Sequence, residues 1–174
     1  KVGRASSREV ETLSRLQHPG IVPIYSVLPW IHGDDCIICM PFLGRSTLAD
    51  LIAILSARTE PWDGKALTSA GRMWMRESDS IGALPEEIAS PPRDLSSLVI
   101  RVAKDMAIAL DYAHRQRVVH GDIKPSNVLL TPAGRSVLLD FNLSGDTSGA
   151  WAAVGGTLPY MPPEQLQQLI SGSN

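Results

Sequence analysis

Asp122, Lys124 and Asn127 stand at short fixed offsets in the run Val119-His120-Gly121-Asp122-Ile123-Lys124-Pro125-Ser126-Asn127. A second carboxylate, Asp140, closes an apolar run ten residues beyond Leu130. Two carboxylates and an amide, with a lysine among them, are the groups needed to hold Mg2+ against a polyphosphate and to position a hydroxyl nucleophile. Each residue also has a plainer use. Asn127 can cap a turn, Asp140 can end a strand, and His120 reads as a packed core histidine rather than an acid or base. It is the joint spacing that points to chemistry.

These groups need a frame, and the apolar pattern supplies one. Val128-Leu129-Leu130 and Val137-Leu138-Leu139 read as short strands on either side of residues 131–135, where Gly134 suits a turn with positive φ. Upstream, Leu98, Val102, Met106, Ala109/Leu110 and Ala113 recur at helical spacing over roughly five turns. That helix ends in His114-Arg115-Gln116-Arg117, whose basic residues suit its negative end. Earlier still, Ser6-Ser7-Arg8-Glu9 with Val10, Leu13 and Leu16 reads as a capped helix that stops near His18-Pro19-Gly20. Residues 21–28 and 36–40 read as two strands joined by a hairpin loop around His32-Gly33-Asp34-Asp35. A short helix is expected from Thr47 to Leu55, and a last one begins at Pro162-Pro163-Glu164. Residues 56–94 are rich in Pro, Gly, Ser and charge and hold no lasting period, so they read as a mobile, dispensable insert.

The chain has 174 residues, long enough to bury a core, and a formal net charge of -2. That balance provides no basic field, so neither nucleic acid nor an anionic membrane is implied as a partner. No apolar run approaches the roughly 20 residues of a membrane span, and no signal-peptide pattern opens the chain. Cys36 and Cys39 form a C-x-x-C, but no second pair completes a zinc site. On a strand, positions three apart point to opposite faces, which favours structural thiols in a reduced compartment.

The string from His120 to Asn127, followed by Asp140-Phe141-Asn142 and then by Gly156-Thr157 and Pro163-Glu164, resembles the catalytic loop and activation segment of eukaryotic-like Ser/Thr protein kinases of the type found in bacteria. The resemblance covers nearly the whole chain outside residues 56–94. It implies an α+β, two-lobe protein-kinase-like fold, present in part. Residues 1–43 would form part of the N-terminal lobe and hinge, an antiparallel sheet with one helix. Residues 44–174 would form the first part of a mainly helical C-terminal lobe. The Gly-rich loop expected ahead of Lys1 and the later helices are not in the sequence, so the piece alone is expected to be inactive.

The resemblance also implies a function and a set of roles. The function is ATP-dependent phosphorylation of Ser or Thr on protein substrates, in the cytoplasm, with ATP and Mg2+ as cofactors. Asp122 would accept or orient the proton of the substrate hydroxyl, and Lys124 would approach the γ-phosphate. Asn127 and Asp140 would hold Mg2+, and Thr157 would bridge the catalytic loop and the substrate groove. Backbone groups of Pro41 and Leu43 would face the adenine, with Leu129 as the pocket floor. Leu13, Ile24, His120 and Phe141 would stack into an apolar column linking the lobes. Lys1 and Glu9 would pair beside the phosphates, although Ser6-x-x-Glu9 is also a capping box that offers Glu9 a local use.

Two residues depart from the family pattern. Gly121 stands where an Arg is usual, which puts control through a phosphorylated activation loop in doubt. Asn142 replaces the glycine after Asp-Phe, a change that left-handed backbone tolerates. Two other functions compete with a protein kinase. A pseudokinase scaffold would have no need for Lys124, Asn127 and Asp140 beside Asp122, and a small-molecule phosphotransferase usually lacks the Thr157…Glu164 segment.

Overall fold

Short apolar runs at strand period and one long run at helix period set the architecture, and the computed structural model describes residues 2–4, 16–29, 35–57, 94–131, 134–141 and 156–171. Lys1, Glu9, Leu13 and Asn142, the predicted first helix before Leu16, the hairpin loop at residues 31–34 and most of the 56–94 insert lie outside the described residues. The fold is α+β. Strands β1 (Val2–Arg4), β2 (Ser26–Pro29) and β3 (Asp35–Cys39) form an antiparallel sheet in the order β1-β3-β2. Val2 lies opposite Ile37, and Val27 opposite Ile38. Helix α1 (Leu48–Ser56) follows, then the long helix α2 (Leu95–Arg115). A second, two-stranded antiparallel ribbon comes next, β4 (Val128–Leu130) with β5 (Ser136–Leu138), and helix α3 (Pro163–Ser171) comes last.

The ribbon is the centre of the packing. Alternate residues point to opposite faces of a strand, and here both faces are covered. Val128, Leu130 and Leu138 join a core with Leu16, Ile21, Leu51 and the α2 stripe Leu98, Val102, Met106, Ala109 and Ala113. Leu129 and Val137 turn the other way, into a smaller cluster with Val22, against which Met40, Leu43 and Leu139 pack. A strand buried on both faces needs a continuous apolar run rather than alternation, which is what the sequence has here. The ribbon's edges are occupied too. Val22 N–H donates to the Leu138 carbonyl (3.0 Å) and Leu138 N–H to the Gly20 carbonyl (2.9 Å), while Leu130 N–H donates to the Ser46 carbonyl (2.9 Å). An open edge would present unpaired backbone groups.

The two helices before the ribbon are capped by side chains and tied to it. Thr47 and Asp50 form a capping box at the start of α1: Asp50 N–H donates to Thr47 Oγ1 (3.3 Å) and Thr47 N–H to Asp50 Oδ2 (2.7 Å). The same Thr47 makes an antiparallel bridge to Leu129. Asp94 caps α2 by accepting from Ser97 N–H at 2.7 Å, and Asp105 on α2 accepts from Ser136 N–H at 3.0 Å, which ties helix to ribbon.

Two expectations need correction. Residues 21–28 are not one strand: Ile21 bridges to Leu138 in parallel, and the ladder with β3 runs over Ser26–Pro29, with Tyr25 N–H donating to the Cys39 carbonyl (2.8 Å) just ahead of it. Pro23 between them has no N–H to continue a ladder, so the run divides between two sheets. The predicted insert is also set too wide. Ser56 belongs to α1 and Asp94 is the cap of α2, so both ends of that stretch are helix termini.

Candidate active site

The chain leaves α2 through Val118, which is buried, and reaches His120, whose placement sets up the site. Its Nδ1 accepts from Asp122 N–H at 3.3 Å, so the proton must sit on Nε2, which lies 2.9 Å from the Leu139 carbonyl and donates to it. Burial lowers the pKa of His120, against smaller opposing contributions from the Leu139 hydrogen bond and the nearby carboxylates. The ring is therefore neutral, and it packs against Phe141 at a centroid distance of 4.6 Å. Ile24 and Phe141 both pack on the main core. Two of the four residues expected in the apolar column, Ile24 and Phe141, thus pack against the same cluster, His120 packs on Phe141, and Leu13 falls outside the described residues.

After Asp122 the chain makes one turn of 3-10 helix, Pro125–Asn127, closed by Asn127 N–H donating to the Lys124 carbonyl at 2.9 Å. Pro125 opens the turn, where its fixed φ and missing N–H cost nothing. The turn brings Asn127 back onto Asp122: its Nδ2 donates to the Asp122 carbonyl (2.9 Å) and to Oδ2 (3.2 Å). Asn127 is almost fully buried, with 6% exposed. Lys124 Nζ lies 2.6 Å from Asp122 Oδ2 and donates to Thr157 Oγ1 at 2.7 Å. Thr157 in turn donates to Asp122 Oδ1 at 3.0 Å. Asp122, Lys124 and Thr157 therefore close a triangle of charge-assisted hydrogen bonds across 35 residues of chain. Burial alone would raise the Asp122 pKa. The bonds from Lys124, Thr157 and Asn127, with the Lys124 charge, outweigh it and hold the carboxyl below its ordinary value.

Asp140 lies next to this arrangement. Leu139 N–H donates to the Asn127 carbonyl at 2.8 Å, which draws the backbone of Asn127 to the residue just before Asp140. Asp140 is exposed and takes a left-handed φ of 52°, a region uncommon for residues with a side chain. Among the described residues no three His, Cys, Asp or Glu side chains converge into a metal-binding group. Asn127 and Asp140 offer hard oxygen donors, the kind taken by an ion such as Mg2+, which uses one or two protein ligands and completes its shell with waters and phosphate oxygens. The hydrogen bonds from Asn127 to Asp122 use its Nδ2, so its Oδ1 is the atom suited to a cation.

Toward the sheet, Leu129 packs with Met40 and Leu43, and Pro41 lies half-buried between those two. The structure thus brings together Asp122, Lys124, Asn127 and Thr157, with Asp140 adjacent, and separately gathers Leu129 with Leu43. Lys1 and Glu9 lie outside the described residues. Sequence reading missed one contact at the site. Gln165 Nε2 donates to the Gly121 carbonyl at 3.1 Å, and a glutamine in the first turn of a helix carries no local signal of such a partner.

A small antiparallel sheet, a buried ribbon and an Asp-Lys-Asn loop bonded to a downstream threonine are the core of a protein kinase. The family model described as "Protein kinase domain" matches residues 1–173, and the chain belongs to that family. It is 30% identical over 173 residues to a "Probable serine/threonine-protein kinase" of Streptomyces coelicolor, a match covering 92% of this chain and 20% of that protein. It is likewise 30% identical over 166 residues to Aurora kinase B of Drosophila melanogaster, covering 95% of this chain and 40% of that protein. Serine/threonine-protein kinase PknJ of Mycobacterium tuberculosis is 36% identical over 104 residues, 55% of this chain and 18% of that protein. The chain therefore spans less than half the length of each of these relatives. No helix among the described residues is long and apolar enough to cross a membrane.

Proposed function

We propose that this domain transfers the γ-phosphoryl group of ATP to Ser or Thr hydroxyls of protein substrates, in the cytoplasm where ATP is available. The observation that carries the reading is the triangle of Asp122, Lys124 and Thr157. It sets an ionised carboxylate, an ammonium and a hydroxyl within hydrogen-bond reach of one another at the end of a buried ribbon. When bound, ATP·Mg2+ supplies the transferable group and neutralises the charge that develops on it.

The chain's own residues do the rest. Asp122, its pKa held low, is a weak base, so its part is to orient the incoming hydroxyl and receive its proton late. A loose transition state asks for little more. Lys124 offers a mobile positive charge to the phosphoryl oxygens, and Thr157 keeps Asp122 and Lys124 in register. Asn127 and Asp140 hold the cation by oxygen. Leu129 floors the adenine site, and the backbone groups of Pro41 and Leu43 face the ring edge. Pro41 has no N–H and offers only its carbonyl, so Leu43 is the residue of the two that can donate. Lys1 and Glu9, outside the described residues, are the pair assigned to the phosphates.

The test is radiolabelled phosphate transfer by the full-length protein to itself and to a panel of Ser- and Thr-containing peptides. Transfer that is lost in Asp122→Asn, by about 10²–10⁴-fold, supports the reading. A wild-type protein that binds ATP·Mg2+ and transfers nothing to any acceptor contradicts it.

A further inference from the structure

The peptide unit between Gly121 and Asp122 is held at both of its polar ends. Its N–H, that of Asp122, donates to His120 Nδ1. Its carbonyl, that of Gly121, accepts from Gln165 Nε2 at 3.1 Å. In a trans peptide these two groups point in opposite directions, so the histidine and the glutamine hold one plane from opposite sides. Gly121 has a φ of 76°, a conformation that glycine adopts freely and that leaves the following peptide plane easily turned unless something fixes it. Asp122 begins where that plane ends, and the direction of its carboxylate depends on it.

The Gln165 side is closely built. Gly156 lies over the same carbonyl: a Cβ there would come within 3.3 Å of Gly121 O, 3.0 Å of Gln165 Nε2 and 2.8 Å of Met161 Cε. Gly156, Met161 and Gln165 therefore meet at the peptide before Asp122, and Thr157, next to Gly156, is the residue that bonds the Asp122 carboxylate. We infer that Gln165 is a positioning residue for Asp122. It fixes the 121–122 peptide and, through it, couples the seating of residues 156–165 to the aim of the carboxylate. The coupling is uncharged and reads the backbone, so it requires no arginine at position 121.

This inference rests on the proposed phosphotransfer, and its test separates the two. Gln165→Glu keeps the shape but sets an acceptor against the Gly121 carbonyl, whereas Gln165→Lys keeps a donor. In the full-length protein, Gln165→Glu is expected to lower kcat about 10- to 100-fold with the ATP KM unchanged, and Gln165→Lys to recover most of the loss. Hydrogen exchange reads the same bond without catalysis: the Asp122 amide is expected to exchange about tenfold faster in Gln165→Glu and near the wild-type rate in Gln165→Lys. Equal impairment of both variants, a change confined to the ATP KM, or an Asp122 amide that exchanges alike in all three proteins would overturn the inference. If the wild type transfers no phosphate, the function reading falls, and the exchange rates alone decide the role of Gln165.

Discussion

The two β layers of this molecule are built to different rules. The β4–β5 ribbon has six residues, all of them buried, with apolar clusters on both faces and backbone partners along both edges. In the β1-β3-β2 sheet, Ile38 is buried, Val27 opposite it is partly buried, and Leu28 and Cys39 are exposed. The residues proposed for chemistry follow the ribbon. Asn127 immediately precedes β4, Asp140 lies just beyond β5, and His120 bonds the Leu139 carbonyl between them. Among the described residues, the segment that leaves β3 packs on the ribbon at Met40 and Leu43, the side proposed for adenine. Burial thus lies under the residues proposed for chemistry, and the more open layer borders the side proposed for the nucleotide.

Truncation of a ribbon residue should give the largest effect. Leu138 is 1% exposed, and Leu138→Ala is expected to cost about 2–5 kcal/mol of unfolding free energy. This would be read by denaturant titration of the domain in the full-length protein. A loss below about 1 kcal/mol would mean that the ribbon is not the centre of the core.

Acid should come next. The folded pKa of His120 is depressed below its ordinary 6.5 by burial, so the unfolded state binds the proton more readily. The stability contributed by neutral His120 is therefore complete above about 6.5 and is lost as pH falls from there through the folded value. Melting temperature should drop by a few degrees between about pH 7.5 and 5.5, and the drop should shrink in His120→Gln, which can still donate to Leu139 and accept from Asp122. An unchanged slope in that variant would assign the acid sensitivity to other groups.

Two smaller changes sharpen the contrast. Thr47→Ala removes the α1 capping box beside the bridge to Leu129 and should cost about 0.5–2 kcal/mol. Leu28→Ala, at a position 54% exposed in the small sheet, should stay within about 0.5 kcal/mol of wild type. If Leu28→Ala destabilises as much as Leu138→Ala, the two layers are equivalent and the comparison fails.

What could be read in the sequence was whatever depends on local period and local caps. The α2 stripe is legible because Leu98, Val102, Met106, Ala109 and Ala113 share one helical face, and all five are buried. The catalytic-loop string is legible because its offsets are short and unusual. What escaped depends on partners far along the chain. Nothing local to Ile21 distinguishes a strand that pairs with Cys39 from a bridge to Leu138, and the proline after Val22 reads equally as an edge residue or a break. Asp94 was absorbed into a polar stretch because a cap is evident only once the helix after it is extended back to Leu95. Thr157 was reached through family resemblance rather than pattern, and Gln165 not at all.

The most direct test of the central claim pairs two carboxylates that the fold treats differently, Asp122 inside the triangle and Asp140 exposed at the ribbon's end. Each is replaced by Asn in the full-length protein, and nucleotide is titrated with and without Mg2+ while phosphate transfer is followed. The account predicts that Asp122→Asn abolishes transfer and leaves Mg2+-dependent ATP affinity within about twofold, because Asp122 faces the hydroxyl rather than the cation. Asp140→Asn should instead weaken ATP affinity about tenfold or more, and only when Mg2+ is present, because it removes a charge opposing the metal. Two variants that lose Mg2+-dependent binding equally, or an Asp122→Asn protein that still transfers phosphate at the wild-type rate, would contradict the assignment.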